Sequence, residues 1–311
     1  MKFAADGSIL RSLSNKEEEM LHMSEKPIIA VIGGTGLYQF TGLEEIQVLE
    51  IDTPFGRPSA PLIIGTLANN KVVFLARHGI GHHIIPSEVN YRANIYALKS
   101  LGVERIVGVS ACGSLRDDYA PGHVIIPDQL IDFTRQRART FFGESLVAHV
   151  SMPDPFCPSL SSLAYQALTQ CNIVTHQGSI AITIEGPRFS TRAESHLFRA
   201  WGASIINMTT CPEAFLAREA EMCYTSIAHV TDYDAWHTTE EPVTIEMVIQ
   251  TLNRNTTIIQ EALRKLIETL PTKDDCACRH SLEKAIITDP EKISPETRKK
   301  LNLLVNKYLP V

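Results

Sequence analysis

The chain has 311 residues, 44% of them hydrophobic and 21% charged, with a net charge of −6 at pH 7. Such a profile describes a globular protein, and without a long Lys/Arg run there is no electrostatic reason to expect nucleic acid or a membrane surface as partner. No apolar stretch approaches the ~20 residues needed to cross a bilayer.

The first 26 residues, MKFAADGSILRSLSNKEEEMLHMSEK, are polar and lack the apolar core of a secretory signal. They are read as a flexible leader on a cytoplasmic protein, with Met23 as an alternative start. From there, β-branched apolar runs alternate with helical patterns. Strands are expected at 28–33, 72–77, 105–111, 123–127, 179–185, 203–209 and 224–231, and helices at 86–102, 159–171, 191–202 and 212–222. Thr191 with Glu194 makes a capping box, and Gly102 and Gly202 stand where helices should stop. Several strands are apolar throughout, as in a sheet covered on both faces. The fold class is α/β, a single domain with a central mixed, largely parallel sheet flanked by helices.

The longest helical pattern covers 244–270, with Ile245, Val248, Ile249, Leu252, Ile259, Leu263, Leu266 and Leu270 on one face. Beyond Pro271 the composition turns polar. A C-terminal extension, 271–311, ends in a charged helix over 290–308, expected on the surface or across a neighbouring subunit. Of the seven cysteines, Cys112, Cys171, Cys211 and Cys223 lie in or beside apolar segments and read as buried thiols. The run CACRH at 276–280 has three readings. Cys276, Cys278 and His280 offer three metal ligands where a structural zinc site needs four, a local disulfide is the second option, and a plain surface loop the third.

Ligands of open α/β sheets sit at the carboxyl ends of the strands. Those ends read GGTGLY (33–38), RHG (77–79), SACGS (110–114), EGPRFST (185–191), NMTT (207–210) and TDYD (231–234). The first suggests a dinucleotide fingerprint, but Gln39 stands where the third glycine belongs, so the reading as an NAD-dependent oxidoreductase is incomplete. A Gly-rich turn with a threonine still offers amides and a hydroxyl to an oxyanion. Arg77 and His78 add a permanent cation and a titratable donor, although such a pair also serves structural ion pairs. Ser190 and Thr191 open a helix, where free amides favour an anion. Asp232 and Asp234 are placed to accept from an exocyclic amine or to share a proton with a ring nitrogen. The plainer alternative is that one caps a turn and the other makes a surface salt bridge.

Taken in order and spacing, GGTGLY, RHG with GHHIIPSEVNYRAN, SACGSLR, TIEGPRFSTRAE, NMTTCPEAFLAREA and TDYDAW resemble the 5′-methylthioadenosine phosphorylases, in the trimeric branch of the purine nucleoside phosphorylases. The resemblance covers about 27–270, which it marks as a catalytic domain of nucleoside phosphorylase-like fold. It implies phosphorolysis of a nucleoside to a purine and a ribose 1-phosphate. Inorganic phosphate is the co-substrate, and neither an organic cofactor nor a metal is needed. It further implies that Thr35, Arg77, His78, Ser110, Ala111 and Ser190 hold phosphate, that Thr209 and Thr210 lie near sugar and phosphate, and that Met208 lies against the ribose. Phe189 and Ile184 flank the purine, while Asp232 and Asp234 read N7 and the 6-amino group.

For the 5′ end, Ile245, Val248 and Ile249 offer an apolar wall suited to a methylthio group, or simply pack their helix on the sheet. His82 and, from an adjacent subunit, His149 complete that pocket by resemblance, which implies a homotrimer or a dimer of trimers. A methylthioinosine phosphorylase, a broader purine nucleoside phosphorylase and a non-catalytic nucleoside-binding module are the remaining alternatives.

Overall fold

The computed structural model describes residues 29–34, 40, 42–237, 245–271 and 275–309. The leader expected over 1–26 and Thr35 lie outside the described residues. The helix backbone is described at Ile245, Val248 and Ile249, but their side chains are not.

Among the described residues, eleven strands form one mixed sheet built around β5 (Arg105–Ser114). On one side of it lie β1 (Ile29–Gly33) and β4 (Asn70–Ala76), successively parallel, then the antiparallel strands β3 (Leu62–Leu67) and β2 (Glu44–Leu49). On the other, β11 (Cys223–Asp232) runs parallel to β5, from Cys223 opposite Arg105 to Asp232 opposite Gly113. The end of β5 diverges to pair antiparallel with β10 (Ile205–Asn207), which is followed by β9 (Ile180–Ile184) and β7 (Gln129–Phe133). Two short strands, β6 (Val124–Ile126) and β8 (Thr175–Gln177), extend from β11.

Period-two alternation in the apolar strands divides the core. Ala30 and Ile32 face one side with helices α1 (Tyr91–Ser100), α4 (Thr210–Glu219) and α6 (Pro295–Val305). Ile29 and Val31 face the other with α2 (Pro158–Thr169) and α5 (Ile245–Thr269). The sixth helix, α3 (Arg192–Ala200), begins at the expected capping box: Thr191 Oγ1 accepts from the Glu194 amide while Glu194 accepts from the Thr191 amide. Gly102 and Gly202 take positive φ just past α1 and α3, where any other residue would be strained. No helix among the described residues is long and apolar enough to cross a membrane.

Two expectations change. SACGS is not a strand end, because β5 continues through Ser114 and Gly113 pairs with Ile206. The charged tail helix also packs on its own chain. Leu301 and Leu304 of α6 join Ile95 and Leu98 in one core cluster.

Candidate active site

Two registers bring the strand ends together. β11 delivers Asp232 opposite Gly113, after an irregularity in pairing at Val230. Antiparallel β10 runs back along β5, so the chain leaving Asn207 heads toward Ser110 and Ala111. Gly113 sits where the two meet. A Cβ there would lie 2.9 Å from Asp232 Oδ1 and 3.0 Å from Ile206 Cγ2, so only glycine leaves the carboxylate its place.

Both acids are buried, Asp232 at 6% and Asp234 at 8% exposure. Asp232 Oδ2 accepts from Thr231 Oγ1 at 2.6 Å, and Oδ1 accepts from the Asp234 amide at 2.8 Å. One acid therefore does cap a turn, as the plainer alternative held, but neither makes an ion pair among the described residues. Burial, with the neighbouring Asp234 charge, pushes the Asp232 pKa up to about 6 against the hydrogen bonds that favour its ionised form. Burial likewise raises Asp234. Asp234 takes a φ of 50°, unusual for a non-glycine, and the following Trp236 anchors the turn by donating to Ser114 O at 2.7 Å.

The Ser195 and Ser190 hydroxyls lie close enough to Asp234 to favour its ionised form, though neither reaches hydrogen-bonding geometry. Ser110 Oγ, Ser190 Oγ, Ser195 Oγ, Asn207 Nδ2 and Asp234 Oδ2 are all buried without a hydrogen-bond partner among the described residues. Buried polar groups are ordinarily paired, so five such atoms around one set of strand ends mark a polar ligand site. Ser190, expected at the phosphate, belongs on this geometry to the Asp234 end.

A second group forms after β4. His78 stacks on His82 with ring centroids 4.4 Å apart. His78 Nδ1 is 2.9 Å from Ile84 O, and because a carbonyl only accepts, that nitrogen carries the proton. Burial, then the adjacent Arg77 charge, lowers the His78 pKa to about 4. Neutral His78 thus presents Nε2 as an acceptor rather than the donor its sequence position suggests. Arg77 also departs from expectation. Its guanidinium is buried and paired with Glu213, Nε to Oε2 at 2.7 Å and Nη2 to Oε1 at 2.8 Å, and it also donates to Val109 O and Ile32 O. Most of its donors are committed, so it acts as a structural ion pair joining β4 to the residue before Ser110.

Two organisers have no sequence signal. Asn207 Oδ1 accepts from Thr183 Oγ1 at 3.0 Å and from the amides of Thr209 and Thr210 at 3.3 Å, which fixes the NMTT turn and buries Thr209. Arg137 donates to Met208 O and Glu185 O, each at 2.7 Å, and at the limit of range to Ile184 O, tying NMTT to the EGPRFS loop. That loop also closes on the one after His82, since a Cβ on Gly186 would lie 2.7 Å from Met208 Sδ and 3.3 Å from Pro86 Cγ. Of the residues expected at the purine, Ile184 is buried and Phe189 is exposed. His149 is exposed, its amide donating to Ala285 O of the C-terminal extension at 2.8 Å.

The profile of the phosphorylase superfamily matches residues 28–268. The S-methyl-5′-thioadenosine phosphorylase of Geobacter sulfurreducens is 46% identical over 91% of this chain and 99% of its own length. That of Thermofilum pendens is 50% identical over 85% and 100%. The chain belongs to the methylthioadenosine phosphorylase family, within the phosphorylase superfamily. Solved members superpose closely. A methylthioadenosine phosphorylase from an Antarctic soil metagenomic library gives a TM-score of 0.86 at 44% identity, covering 90% of this chain and 99% of the other. The Schistosoma mansoni methylthioadenosine phosphorylase in complex with adenine gives 0.79 at 37% identity, covering 83% and 96%.

Proposed function

We propose that this enzyme cleaves 5′-methylthioadenosine by phosphorolysis, giving adenine and 5-methylthioribose 1-phosphate. The observation that carries the reading is the buried pair of acids at the end of β11, with different hydrogen-bonding capacity. Asp232 has both oxygens oriented by neighbours, and with a pKa of about 6 it keeps a proton on a fraction of molecules near neutrality. It is the donor to purine N7, which gains electron density as the glycosidic bond breaks. Asp234 keeps a buried oxygen with no partner among the described residues, suited to accept from the 6-amino group. A 6-oxo purine would set two acceptors against each other there, at a cost of about 1–3 kcal/mol.

Inorganic phosphate is the nucleophile, at C1′. Ser110 with its unspent hydroxyl, the Ala111 amide, Thr209 and Thr35 are its binding set, neutral His78 accepts through Nε2 from the P–OH of monoprotonated phosphate, and Met208 lies against the ribose. The transition state is a ribosyl cation loosely held between phosphate and purine, so charge placement and positioning supply the catalysis without an organic cofactor. Ile245, Val248, Ile249 and His82 form the methylthio pocket. His149 completes it from a neighbouring subunit of a homotrimer, a role suited to an exposed histidine. A cytoplasmic location belongs to the same proposal, and the absence of disulfides among the seven cysteines fits it.

The test is adenine release from 5′-methylthioadenosine with and without inorganic phosphate, with methylthioinosine in parallel. Release that needs phosphate and prefers the amino substrate is expected. Release without phosphate would make the enzyme a hydrolase, and preference for methylthioinosine would overturn the roles of the two acids.

A further inference from the structure

Four cysteines far apart in sequence meet in this fold. Cys157 is the residue before α2, Cys223 begins β11, and Cys276 and Cys278 belong to the turn of 3-10 helix at Ala277–His280. Their sulfurs all lie within 4.8 Å of one another, with Cys157 Sγ and Cys276 Sγ 3.6 Å apart. Cys157, Cys223 and Cys278 are fully buried, and all four sulfurs are present as free thiols. The C-x-C run therefore falls short of a metal site only when read alone, because the fold supplies a third and a fourth sulfur.

We infer that Cys157, Cys223, Cys276 and Cys278 form a structural tetrathiolate site for a thiophilic divalent cation, Zn2+ by chemical class. A zinc ion with Zn–S bonds of about 2.3 Å holds its four sulfurs about 3.8 Å apart, so the observed cluster contracts by ~1 Å or less to reach that geometry. A disulfide uses two sulfurs at bonding distance and gives no reason for four to be mutually close. Binding forms four Zn–S bonds, releases the thiol protons to solvent and changes no oxidation state. The resulting charge of −2 has partners in place. Arg218 Nη1 donates to Cys278 Sγ at 3.1 Å, with the guanidinium fixed by a second bond to Asp154 O at 2.6 Å, and Cys157 stands at the positive end of α2. The backbone is equally fixed, with the Cys157 amide bonded to Tyr224 O and the Cys223 amide to Glu104 O. The spacing departs from the commoner C-x2-C knuckle, since two ligands here come from separate elements.

The site lies at the opposite end of β11 from Asp232, roughly 30 Å away along nine residues of strand. Its role is to fasten the C-terminal extension to the sheet, not to take part in phosphorolysis.

The full chain is purified in reductant without chelator and its metal content measured by mass spectrometry. About one zinc per chain is expected, with wild-type protein stripped and refilled with Co2+ showing the visible bands of a tetrahedral tetrathiolate. Cys276→Ser with Cys278→Ser should lose both signals and lower Tm by on the order of 10 °C, while kcat/KM at 25 °C stays within about twofold. Zinc-replete, reduced wild-type protein that holds no stoichiometric metal and gives no cobalt bands would overturn the inference. So would protein from zinc-replete cells whose intact mass shows the four cysteines as two disulfides. Both outcomes are read on the wild-type chain, so misfolding of the double variant would not obscure them.

Discussion

Asp232 is a residue placed at the expense of stability. Its carboxyl titrates near 3.8 when unfolded and about 6 when folded, so the folded state holds the proton more tightly. The contribution of this group to stability is then complete below about pH 4 and is lost as pH rises through 6, by an amount on the order of 2–3 kcal/mol. Asp232→Asn keeps an oxygen for the Asp234 amide but has no charge to bury. It should raise the urea midpoint at pH 8 and leave it nearly unchanged at pH 4. At the same time kcat/KM for 5′-methylthioadenosine should fall on the order of a hundredfold through loss of the proton donor. Equal shifts in midpoint at the two pH values would contradict the buried charge, and full activity would remove Asp232 from catalysis. Gly113→Ala probes the same spot sterically, since its Cβ would press on Asp232 Oδ1 at 2.9 Å. It should cut activity at least tenfold while far-UV circular dichroism stays native, and undiminished turnover would show that the acid tolerates displacement.

Between elements, the buried network of Arg77, Glu213 and Tyr224 joins β4, α4 and β11. Tyr224 donates to Glu213 Oε1 at 2.8 Å, and Gly108 of β5 leaves room for the contact, because a Cβ there would meet both side chains. Glu213→Gln leaves the Arg77 charge buried and unpaired, and should cost about 3–5 kcal/mol in urea unfolding at pH 7. A loss under ~1 kcal/mol would mean that water reaches the guanidinium. This network also shows what the sequence conceals. Seven of the strands were legible, as were six helices and the capping box of α3, because composition and period carry them, whereas β3, though apolar, and β7, short and only half-buried, were not expected. β2 was not, since Glu-Glu-Ile-Gln-Val-Leu is an exposed edge strand whose acids suit an edge and not a core. The three-residue strand Thr-His-Gln of β8 has no apolar signature, and only its register on β6 makes it a strand. Asp232, Asp234, His78 and Ser190 could be named from strand ends, whereas His82 and His149 came only from the family resemblance and Ser195, inside α3, was not named at all. Arg137 could not, because a buried arginine that clamps carbonyls looks like any surface arginine until the loops it joins are in place. The partner that takes up Arg77, Glu213, lies 136 residues away.

At the scale of the whole molecule, the acids are buried while His149 is exposed. The 141–150 segment meets the extension through hydrogen bonds between His149 and Ala285 and between Val147 and Ile287. If His149 serves a neighbour's methylthio pocket, each site of the trimer draws Asp232 from one subunit and His149 from the next. Asp232→Asn and His149→Ala then damage different halves of the same site. Unfolded together and refolded at equal amounts, the two variants should form trimers in which about one quarter of the sites combine an intact Asp232 with an intact His149. Turnover of the mixture should rise toward that fraction of wild type, while the same proteins mixed without subunit exchange give only the average of the two parents. If both residues act within one chain, no site in the mixture is intact and exchange brings no gain. Size measured by light scattering on the same samples separates a failure to share from a failure to assemble.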